Sequence, residues 1–458
     1  MSDDELRHLS PDQVVGLVRR LEARIAELEA ELARRGGPPK TPQNSSTPPS
    51  KGFKRERPSG EGAKRGPPFG HPGTSRHRAE PDWIVLCQPT HCTSCGQDLV
   101  GAPQERVGLS QVVELPPVQP VVLEAWRYEA TCPHCGATST ADYPAGFEPT
   151  RVFGPHLEAL WTYFHEQHHL SYARLARLAR DLWQLGISQG ALAHALRRAA
   201  QRLRPQAVAI GEDVRASPVI GSDETSARVQ GRTHWQWVFQ TPTASYHMIV
   251  PRRNGAVVQD FLGEAEPHVW VSDLWKPQLG APAARHQICL AHQLRELQYV
   301  VDKEQSAWAQ QSQELLRLAI HRAHQRDAGA LWGAAYTAAV AAIERRCDAL
   351  LATPVEGAEA SRLWVRFREH RERLFVFLYD PAVPPTNNAS EQALRHSVVH
   401  RKVTGGFRSD WGADAHAIVT TVLDTARKRG QDLLATLQTA LGQPAAIPPG
   451  LPILSPGR

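Results

Sequence analysis

Two short apolar segments of this chain end in the same dipeptide: Pro218-Val219-Ile220-Gly221-Ser222-Asp223 and His268-Val269-Trp270-Val271-Ser272-Asp273. A short apolar run bounded by turn residues reads as a buried strand, so each segment predicts a strand that delivers a carboxylate at its end. Between them Gly231 predicts a turn, Trp235, Trp237 and Phe239 alternate with His234, Gln236 and Val238, and Tyr246 to Val250 adds a further strand. A sheet presenting two aspartates is the expected centre of the fold.

A third acid follows much later. Residues 302 to 378 carry helical apolar periodicity through Leu315, Leu316, Leu318, Ile320, Ala339, Val340, Ile343 and Leu350. Pro384-Pro385-Thr386-Asn387-Asn388 then ends that region and opens a helix with Glu391 in its first turn. Each acid alone has an ordinary explanation. Asp223 and Asp273 suit strand-end turns, and Glu391 suits a capping box with Asn388 and an ion pair with Arg395. Together they follow a ribonuclease-H-like order: acid on a first strand, acid on a later central strand, acid on a helix beyond an insertion. Hard oxygen ligands suit magnesium or manganese, and a pair of such ions both activates a nucleophilic oxygen and stabilises the leaving oxygen in phosphodiester chemistry.

At 458 residues the chain is expected to hold two or three domains with connectors, and its 36 prolines point to extended unstructured pieces. Neither a leader-like apolar segment after the acidic start nor a run long enough to span a bilayer is present, so a cytoplasmic, nucleoid-associated bacterial protein without membrane contact is expected. In that compartment thiols stay reduced, and seven cysteines, four of them in two C-x-x-C pairs, point to metal rather than disulfides.

The predicted order begins with a helix over residues 1–35. Val18, Ile25 and Leu32 fall at a positions and Val14, Leu21 and Leu28 at d positions, which favours a parallel two-stranded zipper and hence a homodimer or higher assembly. Residues 36–82 read as a flexible linker in which nine Lys and Arg stand against four acids, a surplus equal to the net charge of +5. Such an arm suits phosphate backbones through counterion release, and equally suits a soluble tether.

Residues 83–150 are expected to form a zinc ribbon. Cys92, Cys95, Cys132 and Cys135 would hold one structural zinc ion, each pair followed by a glycine, with strands at Gln111 to Leu115 and Val121 to Tyr128 between them. Residues 151–210 are helical by pattern, and Gly186-Ile187-Ser188-Gln189-Gly190 gives a tight turn before a helix from Ala191 to Leu203, as in a helix-turn-helix. Seven arginines between Arg174 and Arg204, Arg197 and Arg198 among them, support a DNA face there. Arg401, Lys402 and Arg408 follow the Glu391 helix, where they could reach phosphate. Cys289 and His292 share a helical face and are expected to support the active site structurally. The catalytic core is divided by this reading into residues 211–300 and 381–443, separated by a helical insertion at 301–380 and followed by a disordered tail at 444–458.

Asn44-Ser45-Ser46-x-Pro48-Pro49-Ser50, Gly70-His71-x-Gly73, the two C-x-x-C pairs, Leu170-Ser171-Tyr172, Ile187-Ser188-Gln189-Gly190, Asp223-Glu224-Thr225, Cys289-x-Ala291-His292, Asn387-Asn388-x-x-Glu391 and Arg401-Lys402-x-x-Gly405-Gly406 occur in this order. In these motifs the chain resembles the insertion-sequence-66 family of DDE transposases, from the amino-terminal zipper to about Leu437. The resemblance implies a catalytic triad of Asp223, Asp273 and Glu391 binding two magnesium ions. It also implies a zinc ribbon and helical region that help bind transposon ends, cut and rejoined double-stranded DNA as product, and accessory proteins encoded by the same element. Leu274-Trp275-Lys276 after Asp273 and Gln392 after Glu391 depart from the family pattern. A DNA-binding descendant of such an enzyme, with catalysis lost, is the alternative.

Overall fold

The computed structural model describes residues 13, 15, 16, 18–25, 41, 77–115, 118–144, 146, 147 and 152–442. Two compact units emerge, one of residues 54–121 and the other of residues 1–53 and 122–458.

In the smaller unit the chain has little regular structure. Cys92 opens a tight loop in which its carbonyl accepts the Gly96 N–H at 2.9 Å and its own N–H donates to the Gln97 carbonyl at 2.8 Å. The strand expected at 111–115 does not form; nor does the one expected at 121–128 in the larger unit. Their apolar residues stay exposed, Val112 at 84% and Val122 at 87%, so neither segment has a core against which a pleated face could be buried. Strands form instead around the second cysteine pair, β1 (Glu129–Thr131) and β2 (Thr138–Thr140), antiparallel across the Cys132 loop.

The larger unit is organised by a five-stranded sheet: β3 (Val219–Val229), β4 (Arg232–Gln240), β5 (Ser245–Val250), β6 (Val269–Ser272) and β7 (Arg285–Ile288), in the order β5-β4-β3-β6-β7. β3, β4 and β5 form an antiparallel meander, whereas β6 and β7 run parallel to β3. Gln230 and Gly231 both adopt positive φ, 49° and 74°, the conformation that a two-residue hairpin between right-twisted strands requires.

Alternate residues of the central strands feed two cores, as the strand period of two demands. Val219, Val269 and Val271 face one core with α6 (Leu290–Glu304), α7 (Ala307–Asp327), α8 (Gly333–Ala352), α9 (Ala358–Glu369) and α10 (Val376–Tyr379). Ile220, Trp237, Phe239 and Trp270 face the other core. It is built with α1 (Pro155–Glu166), α3 (Gln189–Arg215), α4 (Gly255–Leu262), α12 (Asp410–Lys428) and α13 (Leu433–Leu441). The sheet is thus buried on both sides, which accounts for the continuous apolar runs of β3 and β6. The helical insertion is no appendage, because its Leu315, Leu316, Phe367, Phe375 and Phe377 complete the first of these cores.

α2 (Tyr172–Trp183) and α3 are joined by a short turn at 184–188, as expected, but the left-handed residue is Gln184 (φ 54°) rather than Gly186. α3 also runs on past 210 to Arg215, absorbing Pro205. Among the zipper positions, Val18, Leu21 and Ile25 are helical and exposed, while Val14, Leu28 and Leu32 lie outside the described residues, as do most of the linker and the tail. No described helix is long and apolar enough to cross a membrane.

Candidate active site

Asp223 lies on β3 and Asp273 directly follows β6. The parallel register pairs Val219 with Val269, Ile220 with Trp270 and Gly221 with Val271, and the same offset carried two residues further sets Asp223 abreast of Asp273. Asp223 Oδ1 accepts the Glu224 N–H at 2.8 Å, and Asp273 Oδ1 accepts the Trp275 N–H at 2.9 Å. Burial, and then the nearby charges of Glu224, Asp273 and Glu391, push the Asp223 carboxyl up to about 8. All three expected acids therefore contribute to one electrostatic site.

Glu391 is brought there by α11 (Asn388–Thr404), and Asn387 fixes the start of that helix. Its Nδ2 donates to the Ser222 carbonyl at 2.8 Å, its backbone N–H donates to Cys289 Sγ at 3.1 Å, and its Oδ1 accepts from Ser390 Oγ at 2.6 Å. One side chain thus ties the glutamate helix to the aspartate strand, and its backbone ties the helix to the cysteine. Gly221 makes the close approach feasible: a Cβ there would lie 2.8 Å from Gln240 Nε2 and 3.1 Å from Ser390 Oγ.

The ordinary explanations for Glu391 are not what the helix displays. Asn387 is the N-cap and makes no side-chain cap bond, and the basic groups near Glu391 Oε1 are His292 Nε2 at 3.6 Å and Arg295 Nη1 at 3.9 Å, both from α6. Burial works to lower the His292 pKa, but the hydrogen bond and charge of Cys289 with the charge of Glu391 outweigh it and raise it to about 9. Cys289 is fully buried as the N-cap residue of α6.

Glu224, the neighbour of Asp223, faces the opposite side of the sheet. Its Oε1 accepts from Arg253 at 2.9 Å and its Oε2 from Gln278 Nε2 at 2.8 Å, while Gln278 Oε1 accepts from Trp270 Nε1 at 3.1 Å. The Arg253 guanidinium in turn lies 4.3 Å from the ring centres of both Trp235 and Trp275. This network buttresses both aspartate strands. Its sequence signal was the second acid of Asp223-Glu224-Thr225; the partners Arg253 and Gln278 carry no local signal.

The arginines expected at DNA are largely engaged within the fold. Arg198 on α3 donates to the buried Glu158 Oε1 on α1 at 2.5 Å, and Arg197 stacks on Trp411 with 5.7 Å to the ring centre. Arg401 Nη1 donates to Ser226 Oγ at 2.7 Å and to the Ser226 carbonyl. Lys402 and Arg408 are exposed. Phe407 extends the same seam: its N–H donates to the Arg228 carbonyl at 2.7 Å, and its carbonyl accepts the Gln230 N–H at 2.8 Å. Gly405 (φ 75°) ends α11, and a Cβ on Gly406 (φ 112°) would lie 2.6 Å from the Arg228 carbonyl oxygen, so the glycine pair is demanded by this return of the chain to β3.

Each cysteine pair forms its own knuckle. Cys132 repeats the geometry of Cys92, with its carbonyl accepting the Gly136 N–H at 2.9 Å and its N–H donating to the Ala137 carbonyl at 2.8 Å. Gly96 and Gly136 adopt φ of 74° and 73°, the turn that follows each pair. Backbone N–H groups of Ser94 and Cys95 lower the Cys92 pKa, and those of Cys135 and His134 lower that of Cys132, which favours the thiolate that metal binding needs.

A family model described as the zinc-finger binding domain of transposase IS66 matches residues 89–136, which include all four of these cysteines. No curated protein matches the chain. The model described as Transposase IS66 family matches residues 150–415, more than half of the 458 residues and a span that holds Asp223, Asp273 and Glu391. The chain belongs to the IS66 family of transposases.

Proposed function

We propose that this protein is a DDE transposase that hydrolyses phosphodiesters at the ends of its element and joins the freed 3′-hydroxyl to target DNA. Asp223, Asp273 and Glu391 are the catalytic acids of a ribonuclease-H-like core. The observation that carries the reading is the strain on Asp223, whose carboxyl is forced up to about 8 by its burial and then by nearby acids, Glu224 first and both Asp273 and Glu391 among them. Like charges gathered in a buried site are a liability unless a cation joins them. The donor set fits a pair of magnesium or manganese ions, since it is all oxygen and Glu391 Oε1 is buried without a hydrogen-bond partner. When bound, such ions activate water or a 3′-hydroxyl and stabilise the leaving oxygen.

The protein's own groups define how that site is kept. Asn387 holds the first turn of α11 against β3, so Glu391 is positioned before DNA arrives. His292 and Arg295 balance its negative charge from α6. Glu224 and Arg253 hold the opposite side of the strand fixed. Cys92, Cys95, Cys132 and Cys135 hold one zinc ion, and with the helical region they engage the terminal repeats, while Lys402 and Arg408 reach phosphates near the acids. The working form is a dimer or higher assembly on DNA, aided by proteins of the same element.

Cleavage and strand transfer on duplex DNA bearing the element's terminal repeats, with magnesium, test this. Wild type is expected to give both products and Asp223→Ala neither. Equal activity of the two would remove the triad assignment. DNA binding without cleavage by wild type would establish the descendant that has lost catalysis, and cleavage without joined product would establish a nuclease.

A further inference from the structure

A second cluster of metal-binding side chains lies where α1 meets α11 and α12, remote in sequence from the cysteines and separate from the three acids. Glu166, His400 and His416 each place a ligand atom within 4.8 Å of the others, and each residue is about 2% exposed. His165, also buried, places Nε2 at 3.9 Å from Glu166 Oε1.

The outward hydrogen bond of the His165 ring frees its inner nitrogen, whereas His416 bonds Glu166 directly. His165 Nδ1 lies 2.7 Å from the Leu170 carbonyl, which can only accept; that nitrogen therefore carries the proton and leaves Nε2 as a lone-pair donor facing the glutamate. His416 Nε2 lies 3.0 Å from Ser397 Oγ, while its Nδ1 faces Glu166 Oε2 at 2.6 Å. Histidines that ligate metal are oriented in this way, one nitrogen held by a protein acceptor and the other turned inward.

An ion pair between Glu166 and His416 does not exhaust the cluster. Glu166 Oε1 and His400 Nδ1 are buried with no hydrogen-bond partner among the described residues, although the His400 ring centre lies 4.6 Å from that of His416 and 5.4 Å from that of His165. Two orphaned atoms, a carboxylate oxygen and an imidazole nitrogen that can each offer a lone pair, belong to one buried cluster with His165 and His416. A cation satisfies both, whereas one further proton satisfies only one of them.

We propose that Glu166, His400 and His416, with His165 beside Glu166, form a structural site for one zinc-type divalent transition-metal ion. Imidazoles joined by one carboxylate make a ligand set of borderline softness, which zinc prefers over magnesium. The ligands come from α1, α11 and α12, so the ion clamps the amino-terminal helices onto the helix that carries Glu391.

The test is zinc content of the full chain after gel filtration, measured by plasma mass spectrometry. About two zinc ions per chain are expected for wild type. About one is expected after Cys92→Ser with Cys132→Ser, which disables the knuckles, and about none when His400→Ala or the isosteric Glu166→Gln is added. If His400→Ala fails to fold by circular dichroism, Glu166→Gln and cobalt substitution decide. Cobalt in the cysteine-depleted chain should give weak visible bands without thiolate charge transfer. A folded cysteine-depleted chain free of zinc, zinc content indifferent to Glu166→Gln, or thiolate bands from the cobalt form would each overturn the proposal.

Discussion

Asp223 is a residue whose buried charge is costly to the fold, and under the proposed function the same charge is what the site requires. Its folded pKa, about 8, stands above the ordinary carboxylate value, so the folded protein holds the proton more tightly than the unfolded chain. The contribution to stability is complete below about pH 4 and is lost as pH rises through about 8. Asp223→Asn removes that loss, so in chelator the variant is expected to melt above wild type at pH 8.5 and to match it near pH 4, by scanning calorimetry. Its strand-transfer activity should fall at least a thousandfold. A variant no more stable than wild type at alkaline pH would show that the carboxyl is not strained. Asp273 and Glu391 were legible because each sits at a patterned boundary, the end of β6 and the first turn of α11; Asp223, expected at the end of a strand, lies inside β3, which runs on to Val229 as one arm of the hairpin. Glu224 was legible only as part of a motif, since its partners Arg253 and Gln278 are brought to it by folding alone.

The element that decides the site's geometry is α11, seated on β3 through the one strand position that lacks a side chain. Gly221→Ala places a methyl 2.8 Å from Gln240 Nε2 and 3.1 Å from Ser390 Oγ, so the glutamine amide must turn aside and Ser390, on the first turn of α11, must give way. A cost of about 1–3 kcal/mol is expected from such overpacking, together with a loss of cleavage out of proportion to it, because Glu391 moves with the helix. Calorimetry and cleavage measured on one sample check both, and full activity in a destabilised variant would break the link between seat and catalysis. Element types were readable where periodicity was strong, as in β3, β4, β6 and the insertion helices. The strands expected between the cysteine pairs, at 111–115 and 121–128, were misread because apolar, β-branched residues signal a strand only if something covers them, and nothing in the described structure does. The basic residues of α3 were readable as charge, but not as partners of Glu158 and Trp411.

At the scale of the whole molecule, the net charge matches the surplus of one segment, most of which lies outside the described residues. The surplus of residues 36–82 equals the net charge of the chain, so deleting them should weaken DNA binding and flatten its dependence on salt, with the slope falling by about 0.9 for each phosphate that is no longer neutralised. Fluorescence anisotropy across a salt series measures this; an unchanged slope would mean that the linker is only a tether. The sequence conveyed the order of the parts, but not that the insertion completes a core shared with the sheet, which depends on residues far apart along the chain. A last consequence concerns β3. Beyond Gly221 no strand of the described residues lies on its β6 side, and the carbonyls of Ser222, Ser226 and Arg228 are answered instead by Asn387, Arg401 and Phe407. These three residues act as a guard on an open sheet edge. A chain in which α11 is loosened, as by Asn387→Ala with Arg401→Ala, should self-associate through that edge below its unfolding temperature, raising light scattering before circular dichroism changes; the same helix that carries Glu391 would then be what keeps neighbouring copies from adding their strands to this one.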